Sequence, residues 1–375
     1  MDWQIKKLGE IILENKKSSL RSKGNEIGIY PFFVSGFNIK KIDKYLINDK
    51  SIFLPTGGNF FVHYFNGKAA YSTDTWSIKT KENADIKYLY YFLIFNQDFI
   101  SKKLFKGATI KHLQKEDFRN IKIPLPSFSE QKRIVKILDE VFERIEKAKE
   151  NAEKNLKNSK ELFESYLQSV FANPGKDWEE KKLGEICSFV RGPFGGSLKK
   201  SIFKKGGYVV YEQQHAIYNQ FNDVRYFIDE KKFDEMKRFE LNSGDLIMSC
   251  SGTMGKIAVA PDDLKRGIIN QALLKLSPNK NIFNVFLKYW MESRVFQDDL
   301  KIYTKGAAIK NVVSVKILKE IQIILPKIEE QKSIVKKLDI LSEQTKKLEA
   351  IYQKKLTDLE ELKKSVLKKA FDGEL

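Results

Sequence analysis

Two short stretches of this 375-residue chain combine side chains that could do chemistry. PDDLK at 261–265 sets two carboxylates beside a lysine, the ingredients of metal-assisted phosphodiester cleavage. Asp262 and Asp263 are adjacent, so on a strand they would point to opposite faces, and the stretch reads better as a charged turn. GTMGK at 252–256 has the glycines and lysine of a phosphate loop. Its first glycine lies too close to the lysine, and Ile257 stands where Ser or Thr is needed. FGGS at 194–197 lacks the glycine spacing of a methyl-donor site, and no Asn/Asp-Pro-Pro-aromatic segment is present to hold a flipped base. Cys187 and Cys250, with the scattered His63, His112 and His215, give neither a disulfide framework nor a metal ligand set. No catalytic residue and no metal ligand is assigned, which weighs against a self-contained methyltransferase or nuclease.

Binding chemistry is better represented. The formal net charge is +18, and it is unevenly spread: +9 over residues 1–128, zero over 129–171, +8 over 172–328 and +3 over 329–371. A lysine-rich coat with no purpose would cover every segment alike, so the pattern points to nucleic acid as the ligand of the two globular stretches. Basic or amide side chains next to glycines are the natural contacts, because glycine lets the backbone approach a phosphate or a groove floor. In the later stretch these are Arg191, Lys199 and Lys200 around VRGPFGGSLKK, Gln213, Gln214 and His215 in YEQQHAIYNQ, and Ser251, Thr253 and Lys256 in SCSGTMGK. Glutamine matters here because it can bond adenine on two edges at once. In the earlier stretch the candidates are Arg21, Lys23, Tyr30, Thr56, Asn59 and Lys68.

The elements that must position these residues occur twice. WQIKKLGEI at 3–11 returns as WEEKKLGEI at 178–186, and DKSIFLPTGG at 49–58 corresponds roughly to GDLIMSCSGT at 244–253, an offset of 195. KGATIKHL at 106–113 returns as KGAAIKNV at 305–312, and from Glu130 onward the offset holds at 200 over about forty positions. Pro126 and Pro326 precede two long helical patterns, with Ser127 or Ser129 as a cap of the first, while Pro174 with Gly175 and then Gly373 close them. Along these patterns Leu138, Val141, Ile145, Leu156 and Leu162, and likewise Leu338, Leu341, Leu348, Leu359 and Leu362, fall at mostly 4-3 spacing. That is a coiled-coil seam with an imperfect register. The two matched helices can pair within one chain, avoiding the entropy of association, and the globular stretch between them makes the pair antiparallel. A rod of roughly 60 Å is expected. The expected fold is α+β: a first globular domain at 1–126, a helix at 127–173, a second domain at 174–326 and a second helix at 327–375, in an internal pseudo-two-fold repeat. Further helices are expected at 86–105 and 284–300. The longest apolar run, YLYYFLIF at 88–95, is far below the ~20 residues that span a bilayer, and the start is no signal peptide, so a cytoplasmic location without membrane contact is expected.

The order WxxKKLGEI, globular unit, KGAxIK, LP-x-x-x-EQK-x-IV-x-x-L and long helix, all repeated, resembles the specificity subunit of type I restriction-modification systems. The resemblance covers the whole chain, and GDLIMSCSGTMGKIAVA at 244–260 is similar to a segment typical of these target-recognition domains. FLPTGGNFF departs from it in the first unit. The resemblance implies a non-catalytic chain whose two domains each read half of a bipartite double-stranded DNA site. It implies helices that act as spacer and docking surface for two methyltransferase subunits, and a motor-nuclease subunit that can join. It places the methyl donor, ATP and magnesium on those partners, with no cofactor in this chain. The rival reading is a basic duplicated coiled-coil scaffold that binds proteins, or DNA without sequence preference.

Overall fold

The computed structural model describes residues 3–22, 27–304 and 314–375. Lys23 and the repeat at 305–312 therefore lie outside the described residues. The chain forms two compact units, residues 1–154 with 352–375 and residues 155–351. Each unit takes the first part of one long helix and the last part of the other, so neither is a single continuous segment.

The first unit runs β1 (Gln4–Lys7), α1 (Leu8–Ile11), β2 (Ile12–Glu14), β3 (Tyr30–Phe33), β4 (Lys40–Ile42), β5 (Ile47–Pro55), β6 (His63–Tyr71) and β7 (Thr75–Thr80). It continues with α2 (Ile86–Phe95), α3 (Gln97–Phe99), a π-helical turn at Ile100–Leu104, β8 (Phe105–Lys106), β9 (His112–Leu113), α4 (Lys115–Arg119) and β10 (Lys122–Leu125), and then α5 (Phe128–Ala172) begins. Six strands form one sheet in the order β2-β7-β5-β6-β3-β4, with β3 parallel to β6.

The second unit repeats the plan with β11 (Glu179–Lys182), α6 (Leu183–Ile186), β12 (Cys187–Arg191), β13 (Tyr208–Tyr211), α7 (Gln213–Tyr218), β14 (Phe227–Ile228), α8 (Glu230–Glu235), β15 (Leu246–Ser249), β16 (Ile257–Val259), β17 (Gly267–Ile269) and β18 (Leu273–Pro278). After these come α9 (Asn284–Glu292), α10 (Arg294–Thr304), α11 (Val315–Glu320), β19 (Gln322–Leu325) and α12 (Ile328–Asp372). Its sheets are β12-β18-β15-β16 and β14-β13-β17, again with one parallel pair, β13 beside β17. The long strand β6 of the first unit is thus split into β16 and β17 by Pro261–Arg266. PDDLK lies in that exposed break, where Asp262 accepts from Ser243 Oγ at 2.6 Å, and so forms a charged turn.

Why the same short motifs recur is visible at the helix bases. Strand β1 pairs antiparallel with β10 and β11 with β19, so WxxKKLGEI zips against the segment entering each long helix. The glycine of LGE is needed for close packing: a Cβ on Gly9 or Gly184 would sit 3.1 or 3.0 Å from the Cβ of Arg119 or Lys319. The glutamine of EQK is fully buried in both copies. Gln131 Nε2 donates to the carbonyls of Pro126 (2.9 Å) and Asn83 (3.2 Å), and its Oε1 accepts from Asp85 N (2.8 Å). Gln331 does the same with Pro326 (2.9 Å), Asn281 (3.1 Å) and Phe283 N (2.8 Å). One amide therefore saturates three backbone groups that would otherwise be buried without partners. A tyrosine adds a second tie, Tyr91 to Asp139 and Tyr289 to Asp339, each at 2.6 Å. Of the two capping serines expected for α5, Ser127 accepts from Glu130 N at 3.4 Å.

Both long helices are 45 residues, and within each unit their segments run antiparallel. In the first unit Lys149 meets Glu360 at 3.1 Å, Lys363 meets Glu146 at 3.6 Å and Arg133 reaches the carbonyl of Leu375. The second unit sets Lys160, Phe163 and Glu164 of α5 against Asp339, Ser342 and Thr345 of α12 around one groove. Leu138, Ile145 and Leu338 are buried in the seam, and Val141, Leu156, Leu341 and Leu359 are half-buried.

Leu162 and Leu362 are not seam residues: they are 51% and 46% exposed, and Leu348 is 37% exposed. The last two turns leave the heptad because they pack on a globular core. There the natural period is 3.6, giving steps of four. In α5 the inward line is the half-buried Phe163 and the buried Leu167 and Phe171, with Phe171 against Phe286 at 5.3 Å. In α12 it is the half-buried Lys363 and the buried Leu367 and Phe371, with Phe371 against Tyr88, Phe92 and Phe95 at 5.3–5.5 Å. Each such aromatic pair adds about 0.5–1.5 kcal/mol beyond area burial.

The other helices expected from sequence are each broken once. At 86–105 the helix stops at Asn96, whose side chain donates to the Phe92 carbonyl (2.9 Å). At 284–300 the break is Ser293, whose hydroxyl donates to the Trp290 carbonyl (2.6 Å). Among the described residues no helix is long and apolar enough to cross a membrane.

Candidate nucleic-acid interface

In the second unit the turn between β17 and β18 forms a hub. Asn270 N–H donates to the Tyr211 carbonyl at the end of β13, Cys250 N–H to the Ala272 carbonyl, and Gly192 N–H to the Leu273 carbonyl, each at 2.9 Å. Gly192 is obligatory, since a Cβ there would lie 1.8 Å from the Asn270 carbonyl oxygen. These bonds gather the loops after β12, β13 and β15 at one end of the sheets, and with them Arg191, Gln213 and Ser251. Gln213 Oε1 accepts from Ser251 N–H at 3.1 Å, leaving its amide NH₂ without that tie. Arg191 lies beside the Cys250 thiol. Burial pushes that thiol up to about 11, with Arg191 pulling the other way. Ser251, Thr253 and Lys256 are exposed, and the Lys256 N–H is fixed to Ser249 Oγ at 3.0 Å. Lys199 and Lys200 are exposed farther along the 192–207 loop. Gln214 is half-buried and donates to the Asp223 carbonyl at 3.1 Å.

His215 is not a surface contact. It is fully buried, Nδ1 accepting from Glu212 N–H at 2.8 Å and Nε2 donating to the Asp223 carbonyl at 3.1 Å, so it caps α7 and pins the loop beyond. The residue that sequence reasoning missed at this hub is Gln271, exposed in the turn itself. Its signal was faint: an amide in NQA between two apolar runs. Phe194, 93% exposed, was also passed over.

The first unit builds its equivalent around the turn at Ser72–Thr75. Thr56 donates to the Asp74 carbonyl through both N–H (3.0 Å) and Oγ1 (2.9 Å), and Ser35 Oγ donates to the same carbonyl. Leu113 N–H donates to the Thr56 carbonyl and Gly58 N–H to the Lys111 carbonyl, both at 3.0 Å, which docks the KGATIKHL loop here. Thr73 N–H donates to the Leu20 carbonyl at 2.8 Å, bringing the segment before Arg21 to the same turn. Thr56 and the exposed Asn59 belong to this hub. Tyr30 and Lys68 do not: they flank Tyr45, with Tyr30 at 5.2 Å and the Lys68 ammonium over its ring at 5.0 Å. Lys68 pairs with Asn48, five ladder positions from the Phe53–His63 pair at the hub end.

Sequence reasoning also missed an aromatic group at this hub. Phe37 is 75% exposed, with its ring 6.1 Å from Phe61 and 5.9 Å from His63. Behind them Phe33 stacks on Phe53 at 3.9 Å. Burial holds His63 below the usual histidine range, a contact with the Phe37 backbone pulling the other way, and its buried Nε2 has no hydrogen-bond partner among the described residues.

The strand ladders also correct the internal alignment. Ile52 and Leu54 lie in the helix-side core with Trp76 and Ile78, as Leu246 and Met248 do with Leu274 and Leu276, so the same faces match at an offset of 194, not 195. The difference matters because a one-residue slip moves every side chain to the other face.

Two units on one plan, each pairing antiparallel segments of the long helices and gathering at the end of its strands loops that differ from those of the other, define a duplicated recognition protein. The family model for the type I restriction modification DNA specificity domain matches residues 1–154 and 175–358, and the chain belongs to that family. It is 27% identical over 405 residues to the specificity subunit of the type I restriction enzyme MjaVIII of Methanocaldococcus jannaschii, covering 100% of this chain and 93% of that one. To the EcoDI specificity subunit of Escherichia coli it is 24% identical over 419 residues, covering 100% and 89%. Among solved structures, the HsdS subunit from Thermoanaerobacter tengcongensis shares the fold at a TM-score of 0.61 and 22% identity, covering 100% and 97%. A chain from a study of complex assembly in the type I R-M system does so at 0.75 and 21%, covering 100% and 98%.

Proposed function

We propose that this chain is the DNA-specificity subunit of a type I restriction-modification complex, and that each hub reads one half of a bipartite duplex site. The observation that carries the reading is the repetition of one scaffold whose loops converge at the same place in both units but present different side chains. That is what two independent readers of an asymmetric site require. Arg191, Gln213, Gln271 and Ser251 supply base-edge donors and acceptors in the second unit, and Lys199, Lys200 and Lys256 supply phosphate contacts. In the first unit Thr56 and Asn59 take the base-edge role, while Arg21 serves the backbone. The chain itself is non-catalytic. Two methyltransferase subunits dock on the matched helices and bring the methyl donor, and a motor subunit brings ATP and magnesium. The scaffold rival is less favoured because a non-specific binder has no use for loops that differ between two otherwise matched units.

The test is an exchange. Residues 177–325 are replaced by the corresponding unit of a homologue, and the complex with its methyltransferase is assayed by methylation-site sequencing. One half-site should change and the other should persist. A change in both halves would defeat the independent-reader model, and methylation without any preferred sequence would favour the scaffold.

A further inference from the structure

We infer that Phe37 is a specificity-determining contact of the first unit, its ring meeting the C5-methyl group of a thymine in that unit's half-site. The inference rests on the DNA-reading function proposed above.

Phe37 is three-quarters exposed at a polar hub, in the short connection Val34–Ile39 between β3 and β4. An exposed phenylalanine costs solvation in the free protein, so its setting decides whether it is incidental. Here the side chain is held from behind. Phe61 meets it edge-on at 82° and His63 lies 5.9 Å away, and the imidazole also engages the Phe37 backbone. His63 packs on Phe61 at 5.0 Å and rests in turn on Phe33 of the Phe33–Phe53 stack. Two residues before it, Ser35 is tied to the Asp74 carbonyl that also receives Thr56. The ring is therefore preorganised beside the residues already assigned to base reading, which limits the ordering cost on binding. Phe194 of the second unit is more exposed, but no ring contact holds it among the described residues, and Gly195 and Gly196 follow it.

An apolar group in a DNA groove has two uses: contact with a thymine methyl, or insertion between base steps. Insertion requires a side chain that stands clear of its neighbours. With Phe61 and His63 within about 6 Å, Phe37 cannot enter the stack without carrying them along, whereas an edge contact in the groove needs only its outer rim.

The experiment uses the specificity subunit assembled with its methyltransferase. Methylation-site sequencing first identifies the half-site that survives exchange of residues 177–325. Duplexes carrying deoxyuridine in place of each thymine of that half are then titrated against the wild type, Phe37→Ala and Phe37→Leu. One substitution should weaken wild-type binding about fourfold, the worth of burying a single methyl group. Phe37→Ala should lose that sensitivity, Phe37→Leu should keep part of it, and the second half-site should be read unchanged by all three. A half-site without thymine, wild-type binding indifferent to uridine, or equal sensitivity in Phe37→Ala would overturn the inference. Sensitivity to Phe37→Ala without sensitivity to uridine would overturn it in favour of insertion. If the wild type shows no site preference at all, the failure lies with the DNA-reading function itself.

Discussion

Set side by side, the two units share one set of contacts at the bases of the long helices and differ in the loops that leave the hub. Gln131 and Gln331 make the same three hydrogen bonds, Gly9 and Gly184 face the same packing, and Tyr91 and Tyr289 reach matching aspartates at the same distance. The connection from β3 to β4, by contrast, is the short Val34–Ile39 with Phe37 at its tip, while β13 and β14 are joined by residues 212–226 with α7 and its glutamines. The strand after the next loop is continuous in one unit and split by a charged turn in the other. Surfaces that must fit a shared geometry leave little freedom, because each buried amide has one solution for its partners. Loops facing solvent and ligand carry no such obligation.

The largest expected effect probes the shared part. Replacing Gln131 or Gln331 by Leu leaves two carbonyls and one N–H without partners at a fully buried position, at a cost of roughly 3 kcal/mol. Both variants should show the same fall in thermal midpoint. Unequal losses would mean that the two helix bases are not equivalent despite identical bonding.

A smaller effect probes the divergent part. Gln213→Ala removes an amide that faces the hub and also orders the 250–256 loop through Ser251. Affinity for the cognate site should fall by about 1–3 kcal/mol, with relaxed preference at one position of the second half-site only. Methylation-site sequencing and salt-controlled binding check this. Altered preference in the first half-site would mean that the hubs are coupled.

Much of this architecture was legible in the sequence because its causes are local or repeated. The long helices announce themselves by a proline, EQK and a fixed offset of 200, and the acidic-lysine turn by the adjacency of its aspartates. What was misread depends on packing at a distance. Leu162 and Leu362 continue a heptad on paper. The helix ends instead follow the cores they cap, which turns Phe163 and Lys363 inward. The one-residue error between the units arose because the apolar runs IFLP and LIMS slide past each other without penalty until strand pairing fixes the faces. His215 sits in a glutamine-rich loop and reads as a surface group. Only the fold shows that it bonds Glu212 and Asp223. Phe37 was invisible for the opposite reason, since a lone phenylalanine in a loop looks like core until the structure leaves it outside.

The smallest expected effect turns on His63, whose ladder counterpart in the second unit is the buried Ala258. In the folded first unit burial favours the neutral imidazole, and the contact with the Phe37 backbone only partly offsets this, so the folded-state value lies below 6.5. Above the unfolded value both states are neutral and His63 confers no pH dependence. As the pH falls through about 6.5 the unfolded chain takes up the proton first. Stability is then lost progressively until the folded-state value is reached. A charge at that point would sit among the rings of Phe33, Phe37 and Phe61, so the lost stability comes from the hub that presents Phe37. The wild-type thermal midpoint should therefore fall more steeply between pH 7.5 and 5.5 than that of His63→Gln, which carries no titrating group at this site. Methylation at acid pH should weaken first at the half-site of the first unit. Parallel melting curves for wild type and variant across that range would show that His63 titrates alike in both states and that the aromatic hub holds no pH-sensitive element.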